Sequence, residues 1–215
     1  MSGSRHREKP LDISREQVTG VVLAGGRGRR MGGTDKGLVE LAGRPLIEHV
    51  LDGLRPQVGP ILINANRNQA QYGRYGHAVA SDELADYQGP LAGFAAAMAV
   101  ADTSWILTVP CDGPKVPAEL RSRLAQALLR EDAELAVAHD GERLQPVYAL
   151  LPVSLAGSLA GFLVAGERKI DRWYSQHRMA IGDFSDCRDA FRNVNTLEER
   201  ERIAAERGSS DESSG

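Results

Sequence analysis

Apolar residues along this chain follow two alternating rhythms. Short continuous runs bounded by turn-forming residues read as buried strands, and longer stretches with an apolar period of about 3.6 residues read as helices. The strand-like runs are VTGVVLA (18–24), PILINAN (60–66), HAVAS (77–81), SWILTVP (104–110), AELAVAHD (133–140), RLQPVYALL (143–151) and MAIGDF (179–184). The helix-like stretches are PLIEHVLDGL (45–54), PLAGFAAAMAVA (90–101), PAELRSRLAQALLR (117–130), SLAGSLAGFLVAG (154–166) and TLEERERIAAER (196–207). Pro45 suits a first helical turn, and Thr196 suits an N-cap. Asp140-Gly141 marks a hairpin or sheet extension between two strands. This alternation implies an α/β fold with a mostly parallel sheet. Ligands of such sheets sit outside the carboxyl ends of the strands, so residues just after strands are expected to carry the chemistry.

Both chain ends fall outside the rhythm. Residues 1–17 are polar and charged, and 208–215 are Ser-rich, so both read as disordered tails around a single domain of residues 18–207. A length of 215 residues suits one sizeable core, and 42% hydrophobic with 26% charged residues is ordinary for a globular chain. The net charge of −3 argues against nucleic acid or an anionic membrane as an electrostatic partner, so any attraction for anions must be local. The apolar runs are too short to span a membrane, and the N-terminus has no signal-like apolar segment. Cys111 and Cys187 are too few for a disulfide framework or a cysteine zinc site, so a reducing cytoplasm is expected. The five histidines show no metal-ligand spacing, and no apolar stripe demands an oligomer, so a monomer is expected.

One local concentration of charge stands out. LAGGRGRRMGGTDKG (23–37), directly after the first strand, carries six glycines, Arg27, Arg29, Arg30 and Lys36 against one acid, Asp35. Glycines after a strand let backbone N–H groups approach phosphate oxygens. The dinucleotide fingerprint fails because Met31 stands at its third glycine, and the P-loop fails because Gly37 follows Lys36. What remains is a cationic loop suited to a polyanion such as a triphosphate, Arg supplying a planar fork and Lys a point charge. The plainer alternative is a surface loop of solvated arginines.

Three further segments follow strands. PCDGP puts Asp112 where a carboxylate can hold Mg2+ or simply open a turn. NANRNQ supplies Asn64 and Asn66, amides that suit a base edge or a turn. SDELADYQGPLAG supplies Asp82, able to accept from the N1–H and N2–H2 of guanine, in a loop that also has helix-cap character. Cys111 reads as a buried small hydrophobe.

Taken in order, VVLAGG, RMGGTDKGL, NANRNQ, DYQGPLAG, PCDGP, GER and NVNT resemble nucleotidyltransferases with an L-A-[GA]-G-x-x-x-R-M-G…D-K loop. More narrowly, they resemble the molybdenum cofactor guanylyltransferase family, over Val18 to about Ala205. The resemblance implies a three-layer Rossmann-like sandwich of the nucleotide-diphospho-sugar-transferase type. It implies Mg2+-dependent transfer of GMP from GTP to the terminal phosphate of molybdopterin-bound molybdenum cofactor. It further implies Arg30, Lys36 and Asp112 as catalytic residues, Asp112 as the metal ligand, and Leu23, Ala24, Gly25, Gly26, Lys36, Asn64, Asp82 and Asp112 as GTP contacts. Gln145, Arg168 and Lys169 are candidates for the pterin side, the last two also reading as C-terminal helix charges. Asn193 and Asn195 stand where related enzymes carry an acidic second metal ligand; neutral amides are weaker Mg2+ ligands, which argues against a two-metal site, and the pair also reads as capping the final helix. Transient contact with proteins that deliver and accept the cofactor is expected. The rival readings are cytidylyl transfer to the same cofactor, against which Gly25-Gly26 leans, and a non-catalytic nucleotide-binding or docking module.

Overall fold

A computed structural model describes residues 12–24, 35–82 and 89–194. The elements are β1 (Val18–Leu23), β2 (Glu40–Leu41), β3 (Arg44–Pro45), α1 (Leu46–Leu54), β4 (Ile61–Asn64), α2 (Gln69–Tyr72), β5 (Ala78–Ala80), α3 (Pro90–Val100), β6 (Trp105–Pro110), α4 (Leu120–Arg130), β7 (Leu135–His139), β8 (Leu144–Pro152), α5 (Ala156–Val164), α6 (Ile170–Tyr174) and β9 (Met179–Asp183). Seven strands form one sheet in the order β5-β4-β1-β6-β8-β7-β9. β8 runs antiparallel to β6 and β7, and the other pairings are parallel. Every expected strand in the described residues is present, and Asp140-Gly141 turns the β7–β8 hairpin.

Alternation within the strands builds three layers. Val18, Val22, Leu107, Val109, Ala136 and Leu150 face one core with Ile47, Val50 and Leu54 of α1 and Leu124 and Leu128 of α4. Val21, Ile106, Leu135, Val137 and Leu151 face the other, under Leu91, Phe94 and Met98 of α3, Leu159 and Phe162 of α5, and Trp173 of α6. Side chains on successive strand residues point to opposite faces, so a strand apolar at both parities must be covered on both sides. Gly20 lies inside β1 because a Cβ there would come within 2.8 Å of Leu54 and Val58.

Three expectations need correction. Residues 12–17 are ordered: Ile13 is buried, its carbonyl accepts from the Arg121 guanidinium, and Arg15–Gln17 form a 3-10 turn. Their polar composition concealed one apolar anchor. Pro45 ends the β2–β3 hairpin and precedes the helix instead of occupying its first turn. α4 starts at Leu120 and not at Pro117, because Gln57 accepts from the Arg121 N–H at 3.1 Å while donating to the Pro117 carbonyl at 2.8 Å. That cap comes from 64 residues away. The helix expected over 154–166 is present as α5, entered through a 3-10 turn, Val153–Leu155. The segments α2, α6 and β2–β3 are additions to the sequence reading. The terminal helix expected over 196–207 lies outside the described residues.

Candidate active site

The strand order reverses direction around β1. β4 and β5 follow β1 on one side, and β6 opens the other. A crevice outside the carboxyl ends is expected at such a point. Leu23 pairs with Asn64 of β4 and with Pro110 of β6, so three strand ends meet there. The Ala24 N–H donates to the Asn64 carbonyl at 2.8 Å, and the Cys111 N–H donates to the Leu23 carbonyl at 3.1 Å. Leu23, Ala24, Asn64 and Asp112 are thereby gathered at one edge.

Lys36 joins them from the far end of the glycine-rich loop. Its Nζ donates to Asp112 Oδ2 at 2.9 Å, with the two side chains 30% and 14% exposed. Asp35, beside it, points the other way. It is buried, its Oδ1 accepts from the Tyr72 hydroxyl at 2.6 Å, and its Oδ2 accepts from Asn68 Nδ2 at 3.4 Å. Burial and then the bond to Asp35 push the Tyr72 phenol well above its ordinary range, so it remains a donor. Gly37 is required because a Cβ there would sit 2.6 Å from the Tyr72 oxygen. Gly25, Gly26, Arg27, Arg29 and Arg30 lie outside the described residues.

The Asp112 turn is backed by the C-terminal segment. The Val194 N–H donates to the Asp112 carbonyl at 2.8 Å. A Cβ on Gly113 would fall 2.2 Å from the Tyr148 hydroxyl and 3.5 Å from Asn193 Oδ1, so Asn193 does border this turn. Asn195 lies outside the described residues. Tyr148 packs edge-on against Phe191 at 4.8 Å between ring centroids. Cys111 is buried, and burial followed by the Asp112 and Asp35 carboxylates pushes its thiol above the usual range. It is therefore a poor thiolate source, as its reading as a small hydrophobe requires.

A second cluster lies at the end of β4. Asn64 Nδ2 donates to Asp82 Oδ1 at 2.9 Å, and Asn66 Nδ2 donates to Asp82 Oδ2 at 2.7 Å. The Asp82 N–H returns a bond to Asn66 Oδ1 at 2.8 Å. Two amides thus orient one carboxylate. Gly93 on α3 permits this arrangement, since a Cβ would lie 2.6 Å from Asn64 Oδ1 and 2.7 Å from Leu23 Cδ2.

The pterin-side candidates have structural partners. Gln145 Nε2 donates to Asp140 Oδ2 at 2.6 Å, and Asp140 Oδ1 accepts from the Glu142 and Arg143 N–H groups at 2.8 Å each. Arg168 donates to the Leu163 carbonyl at 3.1 Å and caps the end of α5, while Lys169 stands at the N-cap of α6. None of these partners belongs to the Lys36–Asp112 cluster. Sequence reasoning missed Tyr72 and Asn68. The only local signal was one aromatic in the polar segment NRNQAQY.

A profile of the MobA-like NTP transferase domain matches residues 20–180. The chain belongs to this family. Two curated relatives, each named molybdenum cofactor guanylyltransferase, come from Shewanella sp. (strain MR-4) and Shewanella sediminis (strain HAW-EB3). The first is 55% identical over 88% of this chain and 96% of its own length, and the second 53% identical over 87% and 96%. A crystal structure of molybdopterin-guanine dinucleotide biosynthesis protein A from Archaeoglobus fulgidus superposes with a TM-score of 0.73 at 26% identity. It covers 89% of this chain and 99% of that one. The 4-diphosphocytidyl-2C-methyl-D-erythritol synthase of Anaerococcus prevotii shares the fold, with a TM-score of 0.68 at 12% identity over 90% and 96% of the two chains. The three-layer α/β sandwich of nucleotidyltransferases is thus the fold of this chain.

Proposed function

We propose that the protein transfers GMP from GTP to the terminal phosphate of the molybdopterin-bound molybdenum cofactor, releasing pyrophosphate. The observation that carries this reading is the Lys36–Asp112 pair at the junction of three strand ends. An ammonium and a carboxylate at the mouth of a glycine-rich loop suit phosphate chemistry better than simple base binding. The names of the relatives support guanylyl transfer.

The attacking cofactor phosphate is already an anion at neutral pH, so the reaction needs no strong general base. Bringing two polyanions together is the barrier, and charge neutralisation with in-line positioning lowers it. Lys36 and Arg30 neutralise phosphate oxygens, and the backbone of Ala24, Gly25 and Gly26 cradles them. Asn64 and Asp82 hold the nucleotide, with the Asp82 carboxylate accepting from the guanine edge. Gln145, Arg168 and Lys169 serve the pterin side.

Asp112 is the residue that would hold Mg2+, which when bound supplies positive charge to the phosphates. The donor set fits this ion. Among the described residues no group of three or more His, Cys, Asp or Glu side chains converges, yet Mg2+ commonly takes one or two carboxylates and completes its shell with substrate phosphates and water. Asn193, whose Oδ1 borders Gly113, the residue after Asp112, offers a neutral oxygen on the same turn.

No described helix is long and apolar enough to cross a membrane. With two free cysteines, a cytoplasmic monomer that meets cofactor-delivering and cofactor-accepting proteins transiently completes the proposal. The test is incubation with Mg2+, the molybdenum cofactor and equal GTP and CTP. A guanine dinucleotide product with matching pyrophosphate is expected. A cytosine dinucleotide product would replace the guanylyl assignment, and nucleotide binding without pyrophosphate release would indicate a docking module.

A further inference from the structure

We propose that Tyr72 is a positioning residue for Lys36, acting through the buried carboxylate of Asp35. The proposal rests on the reading that Lys36 meets nucleotide phosphates. Lysine has a flexible four-carbon stem, so its ammonium is only as well placed as the backbone beneath it. Among the described residues, that backbone is placed by Asp35 and the 3-10 turn that follows it.

The Asp35 side chain supplies the anchor. Lys36 opens a 3-10 turn, Lys36–Leu38, in which the Leu38 N–H donates to the Asp35 carbonyl at 3.0 Å. Asp35 is therefore the last residue before the turn that carries Lys36. Its carboxylate is held by the Tyr72 hydroxyl at 2.6 Å and by Asn68 at 3.4 Å. Bonds to an ionised acceptor are among the stronger ones, and a buried carboxylate without a donor is heavily penalised. Tyr72 is itself fully buried at the end of α2, so the donor is fixed.

Two details show that the surroundings are shaped to this bond. Asn68 adopts a left-handed conformation, φ 52°, and its carbonyl accepts from the Tyr72 N–H at 3.0 Å, which starts α2 in the register that brings Tyr72 to Asp35. Gly37 leaves the space that the phenol oxygen occupies, while its other near neighbour is Cys111, adjacent to Asp112. One lock thus joins the loop exit, the segment after β4 and the strand end that carries Asp112.

The test is a double-mutant cycle on GTP affinity in the full-length protein, with GTP and Mg2+ as the probe and calorimetry as the readout. Tyr72→Phe keeps the ring and removes one hydroxyl. It should weaken GTP binding about tenfold in the parent and less than about twofold in a Lys36→Ala background. Equal losses in both backgrounds would overturn the proposal, as would a lowered thermal midpoint with unchanged GTP affinity. Asp35→Asn, which keeps an acceptor for the phenol, should bind GTP more tightly than Asp35→Ala, and equal affinities would count against the lock even if Tyr72→Phe failed to fold. If Lys36→Ala alone left GTP binding intact, the reading of Lys36 would fail and this proposal with it, an outcome distinct from an additive cycle.

Discussion

Lys36 Nζ stands 2.9 Å from Asp112 Oδ2, across 76 residues of sequence. The two residues belong to the loop after β1 and the turn after β6, and the parallel pairing of those strands puts their carboxyl ends side by side. The pair is partly exposed, so its own contribution to stability is small by the usual behaviour of accessible ion pairs. On the proposed function, its worth would lie in presenting a cation and a carboxylate able to hold a metal to the same incoming phosphate.

Asp82 should decide which base is accepted. Its carboxylate is held by Asn64 and Asn66, and guanine offers it two donors that cytosine lacks. Asp82→Ala should lower kcat/KM for GTP by about 10²-fold or more and narrow the preference over CTP. Competition between the two nucleotides measures this. An unchanged GTP-to-CTP ratio would mean that the base is read elsewhere.

Gly93 should tolerate no side chain. Gly93→Ala pushes against Asn64 Oδ1 and Leu23 Cδ2, and overpacking of this kind costs about 1–3 kcal/mol. GTP affinity should fall with it, because Asn64 orients Asp82. Gly157 on α5 is the contrasting position, with nothing within 4 Å of its Cβ direction. Gly157→Ala should raise stability by about 0.4–1 kcal/mol and leave GTP binding alone. Denaturant unfolding and calorimetry check both.

The β7–β8 turn should carry a recognisable pH dependence. Burial alone would raise the Asp140 carboxyl, but N–H bonds from Arg143 and Glu142 and the Gln145 amide together hold it below the ordinary value. A lowered folded pKa means that folding favours the ionised form. The stabilisation is therefore complete above the unfolded value of about 3.9 and is lost as pH falls through the folded value. Asp140→Asn should be less stable than the parent at neutral pH, and the gap between their denaturant midpoints should close as pH falls through the acidic range. A gap constant with pH would assign the effect to packing.

Strands were legible because each is a short apolar run between turn residues, and both-sided burial of β1 and β6 followed from their unbroken character. The placement of Asp112, Asn64 and Asp82 was legible for the same reason, since Asn64 ends β4 and the other two stand just beyond the ends of β6 and β5. Non-local partners were not. The Gln57 cap that delays α4, the Ile13 anchor in a polar tail and the Tyr72–Asp35 bond each join residues far apart in sequence, and no local pattern encodes them. Asp35 counted only as one acid among cations in LAGGRGRRMGGTDKG, whereas its side chain turns inward and Lys36 turns toward Asp112.

Transfer of label from α-phosphate-labelled GTP to the molybdenum cofactor, by the parent and by Lys36→Ala and Asp112→Ala, tests the central claim most directly. The parent should move label into the cofactor in step with pyrophosphate release. Each variant should lose on the order of 10²–10³ in rate while keeping a thermal midpoint close to the parent's. No transfer by the parent, or parent-like rates in both variants, would contradict the account.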